Sequence, residues 1–96
     1  MAVVRMHRYV VDPADLDELT ARRATLIDAI RTAHPALAEA RLTRLEDGTY
    51  SDVWRWDSGE QMHAALADMP NFPQSRATWA LTRDRSHVDG EIVDER

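Results

Sequence analysis

The dipeptide Asp47-Gly48 is the sequence feature that most constrains the fold of this chain. It lies between two runs in which residue character alternates, "LAEARLTRLE" and "TYSDVWRWD". Asp-Gly between alternating runs is the strongest short-range signal for a β-hairpin. We therefore predict two antiparallel strands here, and a two-residue loop would pair Leu45 with Tyr50 and Arg41 with Trp54.

A strand and a long helix are predicted before the hairpin. Residues 2–11, "AVVRMHRYVV", are rich in β-branched and aromatic types and are typical of a strand. Asp12 as N-cap and Pro13 at the first helical position then predict a helix of about 20 residues that ends at His34. Arg23 falls near the apolar stripe of this helix, and we expect its stem to snorkel so that its charge reaches water.

Two further helices and a last strand are predicted after the hairpin. Ser58 and Gln61 form a capping-box pattern that opens the second helix. Pro73 is expected to start a short third helix through about residue 83, and "SHVDGEIVDE", residues 86–95, alternates weakly and predicts the last strand. We expect the apolar residues of this region to seal the helices against the sheet or to line one cavity wall; they are Met62, Leu66, Met69, Phe72 and Trp79.

The element order predicts the fold class. The order β-α-β-β-α(α)-β is that of the split βαβ, or ferredoxin-like, α+β arrangement with a four-stranded antiparallel sheet. The 96 residues provide for one domain, 1–96, with a modest core. Two helices on one face of such a sheet leave its other face bare.

Strand alternation predicts which side chains share a face of the sheet. Of the two faces of the first strand, the one with Val4, Met6, Arg8 and Val10 is the more apolar, so we expect it under the helices. The aromatic face would then be exposed, and a second copy of the chain is its simplest cover. We predict a homodimer whose facing sheets enclose a cavity. The side chains expected to face it are Arg5, His7, Tyr9, Arg41, Asp52, Trp54 and Trp56.

Composition and charge exclude several classes of function. The net charge is −5 and the arginines do not cluster, which argues against a nucleic-acid surface. No apolar run approaches the roughly 20 residues that span a bilayer, so we expect no membrane association. The chain has no cysteine, which fits a cytoplasmic protein, and its four histidines lack a short ligand spacing, so we predict no metal site.

The element order, the aromatic strand ending "DVWRWDS" and the acidic "DGEIVDE" segment resemble the antibiotic biosynthesis monooxygenase-like domains of the dimeric α/β-barrel superfamily. The resemblance implies an oxidoreductase that acts without metal or flavin cofactor on polycyclic phenols. Such oxygenases carry Asn-x-x-x-Trp on the third strand and a tyrosine six residues later. Trp56 matches this pattern, Asp52 stands in place of the asparagine, and Met62 in place of the tyrosine.

The haem-degrading branch of the same superfamily resembles this chain through the same tryptophan, Trp56. That branch needs an asparagine on the first strand and a histidine ten residues after the tryptophan. Here residues 2–11 contain no asparagine, and Leu66 stands at the histidine position, with His63 about one turn earlier. Haem chemistry is therefore not the function that we predict.

Two functions remain open at the level of sequence. The first is a cofactor-independent monooxygenase of an aromatic or polyketide-like molecule; the second is a non-catalytic homodimeric ligand-binding or accessory protein. In the first, His7 or Asp52 is the base, Arg5 and Arg41 hold an anion, and the substrate contacts Tyr9, Trp54, Trp56 and Met62. Several of these residues also have a structural alternative. His7 would be a hydrogen-bonded interface histidine, and Asp52 would form a buried ion pair with an arginine. Trp56 would pack in the dimer interface, and Trp54 would make a cation-π contact with Arg41 there.

Overall fold

The computed structural model describes residues 1–96, and its elements follow the predicted order. The strands and helices are β1 (Val3–Val11), α1 (Leu16–Ala33), β2 (Leu37–Arg44), β3 (Tyr50–Trp56), α2 (Gly59–Asp68), α3 (Pro73–Trp79) and β4 (Thr82–Glu91). The strands form one antiparallel sheet in the order β2-β3-β1-β4, which is the ferredoxin-like arrangement. The predicted fold class is confirmed.

The helix starts follow the predicted capping residues. The Asp12 carboxylate accepts a hydrogen bond from the Ala14 N–H at 3.0 Å, at the head of a short 3-10 helix that leads into α1. The Ser58 hydroxyl accepts one from the Gln61 N–H at 3.2 Å and so caps α2. None of the helices combines the length and apolar character that crossing a membrane requires.

The third helix and the last strand differ from their predicted bounds. Helix α3 ends at Trp79, and β4 begins at Thr82 and ends at Glu91. Thr82 pairs with Val11 of β1, so the residues that were assigned to the end of the helix extend the sheet instead. Ladder bonds to a neighbouring strand outweigh the local helical pattern here.

The hairpin loop has three residues rather than two. The Leu45 N–H donates to the Thr49 carbonyl oxygen at 2.8 Å, and the Gly48 N–H donates to the Leu45 carbonyl oxygen at 3.0 Å. Gly48 has φ of 85°, the left-handed conformation that follows a type I turn in three-residue hairpins. The Asp47 carboxylate favours this geometry, because it accepts a hydrogen bond from the Thr49 N–H at 3.0 Å. In a two-residue loop the same N–H would instead bond to the opposite strand.

The longer loop shifts the pairing of β2 with β3 by one residue. Arg44, rather than Leu45, lies opposite Tyr50, and Arg41 lies opposite Val53 rather than Trp54. A shift of one residue moves every side chain of a strand to the other face. The predicted register is therefore wrong for β2, and Arg41 is placed on the face opposite the aromatic residues.

The aromatic face of the sheet packs beneath the helices. Tyr50, Asp52, Trp54 and Trp56 retain only 6%, 0%, 3% and 1% of their exposed surface. The core residues that pack with the two tryptophans include Leu26, Ile27 and Ile30 of α1 and Met62 and Ala65 of α2. The predicted orientation of the sheet, with this face turned towards a partner, is wrong.

Buried area and internal hydrogen bonds explain this orientation. Each aromatic side chain buries about 150–250 Å² and so outweighs a valine or methionine in burial free energy. Three of the polar side chains on this face also find partners inside the protein, since Tyr9 and Trp54 both donate to Asp52. The uncovered face carries Met6 and Val88, which are 37% and 59% exposed.

Candidate functional site

A fully buried carboxylate, Asp52, lies at the centre of the sheet beneath α1. Its Oδ2 accepts from Tyr9 Oη at 2.7 Å and Arg23 Nε at 2.9 Å, and its Oδ1 accepts from Arg23 Nη2 and Trp54 Nε1, both at 2.8 Å. These four bonds use about all the acceptor positions of a carboxylate. Asp52 is therefore in the buried ion pair that was one of its two predicted roles.

Arg23 is an α1 residue whose predicted behaviour is wrong. Its side chain is only 11% exposed and turns inward to Asp52. The sequence carried a signal for this contact, because a charged residue interrupts the apolar stripe between Leu19 and Leu26, both of which are fully buried. A charge in that position needs an internal partner of opposite sign.

Tyr9 stays protonated within this network. Burial raises the pKa of its hydroxyl well above the usual value, and the negative charge of Asp52 and the hydrogen bond between them raise it further. The ring lies 6.4 Å from Tyr50 and 5.7 Å from Trp79, measured between ring centroids. Tyr9 is thus a fixed donor to Asp52 and a packing surface for its aromatic neighbours.

Beside this network, a cavity of about 150 Å³ lies between the sheet and the helices. An apolar cavity of that size is large enough to bind benzene. The cavity therefore accommodates a single aromatic ring. Its lining residues are Arg5, His7, Trp54, Trp56, Leu66, Met69 and Trp79.

His7 is the titratable side chain on the cavity wall. It lies opposite Asp52 on β3 and opposite His87 on β4, and its ring centroid is 5.4 Å from that of Trp79 and 5.8 Å from that of Trp54. Burial lowers the pKa of His7 to about 4, although the charge of Asp52 opposes this shift. The imidazole is therefore neutral at pH 7 and can accept a proton.

Arg5 supplies positive charge at the same cavity. Its Nε and Nη2 donate to the two carboxylate oxygens of Asp89 at 2.8 and 2.9 Å. The hydrogen bond from Arg5 lowers the pKa of Asp89, so the pair stays ionised at neutral pH. Asp89 holds the guanidinium in place while three of its five N–H groups remain for other acceptors.

The indole N–H of Trp56 is buried and has no hydrogen-bond acceptor in the protein. Leaving a buried donor unsatisfied costs on the order of 1–3 kcal/mol. Because Trp56 lines the cavity, a ligand oxygen bound there could satisfy this donor. The side chains that meet at the cavity thus offer a proton acceptor, a cation and an unpaired N–H donor.

The structure distributes the predicted site residues over three places. Arg5, His7, Trp54 and Trp56 line the cavity. Tyr9, Asp52 and Met62 are buried in the adjoining core and do not line it. The prediction that Arg41 faces the cavity is wrong: its side chain is 75% exposed and pairs with Glu39 at 2.6 Å, so the predicted cation-π contact with Trp54 is absent as well.

Three cavity residues come from outside the strands. Leu66 lies on α2, Met69 follows α2 in a short 3-10 helix, and Trp79 ends α3. The sequence predicted that these residues either seal the helices against the sheet or line a cavity wall. Helical periodicity alone could not distinguish between these two positions.

The residues at the cavity do not fit haem. Leu66 occupies the wall where the haem-degrading branch has its histidine, and His63 is exposed on the surface of α2. No cluster of three or more histidine and carboxylate side chains has an arrangement that could hold a metal ion.

Sheet order and helix placement define a ferredoxin-like α+β domain with a cavity between its sheet and helices. No family model matches the sequence, and no curated protein matches it. Solved structures do match the fold. SnoaB, a cofactor-independent oxygenase from Streptomyces nogalater, superposes with a TM-score of 0.73 at 23% identity over 98% of this chain and 95% of that chain.

Two further solved structures extend this similarity. A candidate antibiotic biosynthesis monooxygenase from Bacteroides thetaiotaomicron has a TM-score of 0.72 at 16% identity over 97% of this chain and 90% of its own. A mutant of MhuD with two manganese protoporphyrin IX molecules per active site has a TM-score of 0.71 at 22% identity over 98% and 97%. The chain has the fold of antibiotic biosynthesis monooxygenase proteins, which confirms the expected resemblance at the level of fold.

Proposed function

We propose that this chain is a cofactor-independent monooxygenase of an aromatic or polyketide-like small molecule. The observation that carries the proposal is that one ring-sized cavity is lined by His7, Arg5 and Trp56, whose buried indole N–H is unpaired. The oxygenase SnoaB shares the fold and supports the same reaction class. The site is a cavity between the sheet and the helices of one chain, not a space between two facing sheets.

The chemistry follows from these groups. Neutral His7 accepts the phenolic proton, and the Trp56 N–H and Arg5 guanidinium stabilise the resulting oxyanion. An oxyanion next to His7 raises the pKa of the imidazole and so strengthens it as a base. In an anthrone-type substrate the proton that His7 takes is one of the two ring CH₂ hydrogens, which is the phenolic hydrogen of the enol tautomer. The ring carbon gives four electrons to O₂; one oxygen atom becomes the new carbonyl, and the other leaves as water with the second CH₂ hydrogen and the proton that His7 returns.

Asp52 has a positioning role in this proposal. Its acceptor positions are taken by Tyr9, Arg23 and Trp54, so it has none left for a substrate proton. Its charge lies opposite His7 across the β1–β3 pair and favours the imidazolium that forms during proton transfer. The base is therefore assigned to His7.

The test is oxygen uptake with anthrone-like and naphthol-like phenols. We expect stoichiometric O₂ consumption that falls by about 10²- to 10⁴-fold in His7→Gln, the usual contribution of a positioned base. His63→Gln is the matched control, because His63 is exposed and does not line the cavity. Phenol binding by calorimetry without any O₂ uptake would refute the oxygenase proposal.

A second candidate is a non-catalytic ligand-binding or accessory protein. It is favoured by two departures from the oxygenase motif that the structure locates. Asp52, in place of the asparagine, is saturated by donors, and Met62, in place of the tyrosine, is a core residue that is 2% exposed. Ligand binding without turnover would support this candidate.

In both candidates the chain is proposed to act as a homodimer through the uncovered face of the sheet. Val53, Met6 and Val88 lie side by side across β3, β1 and β4, and Met6 and Val88 are exposed. A self-complementary surface of this kind is what a two-fold dimer buries. Sedimentation at micromolar concentration should show a dimer, and Met6→Glu should shift it to monomer, whereas Val93→Glu, outside the sheet, should not.

A further inference from the structure

A second concavity lies on the outer side of the cavity wall. It is a surface groove of about 870 Å³ between the α2–α3 connection and the start of β4. Leu66, Met69 and Trp79 line both the groove and the cavity, and these three side chains are called the partition below. Only the partition therefore separates the ring-sized cavity from the much larger groove.

The size of the cavity requires a ligand of more than one ring to extend beyond it. About 150 Å³ holds one aromatic ring, whereas sites for polycyclic ligands have about 300 Å³ or more. The sheet, with Trp54 and Trp56, bounds the cavity on the inner side. The groove beyond the partition is the adjoining space that has the required volume.

The groove also carries unpaired positive charge. In this chain of net charge −5, most arginines form ion pairs with carboxylates, but Arg76 and Arg85 on the groove wall form none. Arg85 Nη1 donates to the Trp79 carbonyl oxygen at 2.8 Å, which holds its guanidinium at the end of α3. Apolar Phe72 forms part of the same wall, so the groove offers an apolar surface with two cations.

We infer that this groove is the outer subsite of the binding site and that it takes the anionic part of the ligand. The ligand is an aromatic molecule that bears a carboxylate, with one ring in the cavity next to His7 and the carboxylate next to Arg76 and Arg85. A carboxylate complements the planar donor array of a guanidinium. The inference rests on the proposed function for the placement of the ring, and on the groove itself for the placement of the charge.

The experiment compares three probes by isothermal titration calorimetry: 2-naphthol, 6-hydroxy-2-naphthoate and 2-naphthoate. We expect the wild-type protein to bind 6-hydroxy-2-naphthoate about two- to fivefold more tightly than 2-naphthol, within the range for exposed charge pairs. The preference should decrease at high salt. In the double variant Arg76→Gln, Arg85→Gln it should vanish while the affinity for 2-naphthol is retained.

Two control variants make the result specific. Arg83→Gln removes an exposed arginine of β4 that does not line the groove, and it should keep the wild-type preference. The double variant Arg76→Lys, Arg85→Lys keeps both charges and should retain most of the preference, which separates loss of charge from loss of the Arg85 contact with α3. Equal binding of 2-naphthol and 6-hydroxy-2-naphthoate, or a preference that persists in the glutamine variant, would overturn the inference.

The probe 2-naphthoate separates this inference from the proposed function, because it has no phenol to oxidise. Arginine-dependent binding of 2-naphthoate without O₂ uptake from any phenol would support the subsite and refute the oxygenase. O₂ uptake with affinities that do not depend on Arg76 or Arg85 would support the oxygenase and refute the subsite. Absence of 2-naphthoate binding would overturn the subsite whatever the O₂ result.

Discussion

Arg23 on α1 and Asp52 on β3 form a two-point ion pair, with Nε–Oδ2 at 2.9 Å and Nη2–Oδ1 at 2.8 Å. The pair joins the longest helix to the middle of the sheet, where the exposed fraction of Asp52 is zero. Buried charges are tolerated only when they are paired and hydrogen-bonded, so the pair can form only with α1 on this face of the sheet. It therefore contributes to selecting the face that the helices cover.

Asp52→Asn is predicted to destabilise the protein by about 3–5 kcal/mol, the range for breaking a buried ion pair. The asparagine would leave the Arg23 charge uncompensated. Its NH₂ group would also meet donors, because Tyr9 and Trp54 both donate to this position. The free energy of unfolding from urea titration measures the effect.

Two further variants test whether this loss comes from the ion pair. Asp57→Asn is the matched control, since Asp57 is exposed and its ion pair with Arg55 is long, at 3.9 Å. The effect of this substitution should stay within about 0.5 kcal/mol. The double variant Arg23→Met, Asp52→Asn should be less destabilised than the sum of the single variants, because neither charge is then left alone. A loss below about 1 kcal/mol in Asp52→Asn would show that the pair does not hold the fold.

Tyr9→Phe is predicted to cost about 1.5–3 kcal/mol, the range for a hydrogen bond to a charged group. The ring and its packing are kept, and only the hydroxyl that donates to Asp52 at 2.7 Å is lost. Tyr50→Phe is the matched control: its hydroxyl accepts from Arg44, whose charge is solvated by water, so the loss should be about 1 kcal/mol or less, as for exposed charged contacts. Equal losses in the two variants, by urea titration, would contradict this assignment.

The sequence predicted the elements and the composition of each face of β3, because these depend on local periodicity. Tyr50, Asp52, Trp54 and Trp56 do lie on one side of the strand. To predict which face of the sheet the helices cover, the two faces of the first strand were compared by their number of apolar residues. This comparison selected the wrong face. The area of the aromatic rings, and the internal donors that satisfy Asp52, decide the orientation.

The error in the β2 register has a local origin. The Asp47-Gly48 pair correctly predicted a hairpin, but its loop length depended on the Asp47 carboxylate, which binds the Thr49 N–H. That one contact moved Arg41 from the predicted site to the exposed face. The contact of Arg23 with Asp52 spans 29 residues of sequence: the interrupted stripe of α1 indicated that Arg23 needs an internal partner, but no local pattern identified Asp52 as that partner.

The stability of the protein is predicted to fall as the pH decreases from about 6.5 to about 4. The pKa of His7 is about 4 in the folded chain because burial disfavours its charged form, against the ordinary value of 6.5. Between these values the unfolded chain binds one proton more than the folded chain, so acidification favours unfolding. The full effect is about 3 kcal/mol, and its pH window follows from the His7 shift alone.

His7→Gln tests this assignment, because it should remove most of the pH dependence above about pH 5.5, where a carboxylate with an ordinary pKa is largely ionised. Arg5, Asp52, His87 and Asp89 face His7 and stay in place in this variant. His63→Gln, at an exposed position, should retain the wild-type slope. Urea titrations at a series of pH values measure the slope, and an unchanged slope in His7→Gln would mean that another group is responsible.

Trp79→Phe is predicted to change which ligands the cavity accepts. The Trp79 ring lies 5.4 Å from His7 and 6.2 Å from Trp54 between centroids, and it is the largest side chain of the partition. Replacing the indole by a phenyl ring opens the partition towards the groove. We expect a three-ring phenol to gain about tenfold in affinity relative to a one-ring phenol, which corresponds to about 1.4 kcal/mol.

Phe72→Leu is the control for this substitution, because Phe72 lines the groove but not the cavity and its replacement leaves the partition intact. Calorimetric titration of each variant with both phenols gives the two affinity ratios. An increase in Trp79→Phe alone would mean that the partition limits ligand size. The same ratio in all three proteins would mean that the Trp79 indole does not narrow the passage from the cavity to the groove.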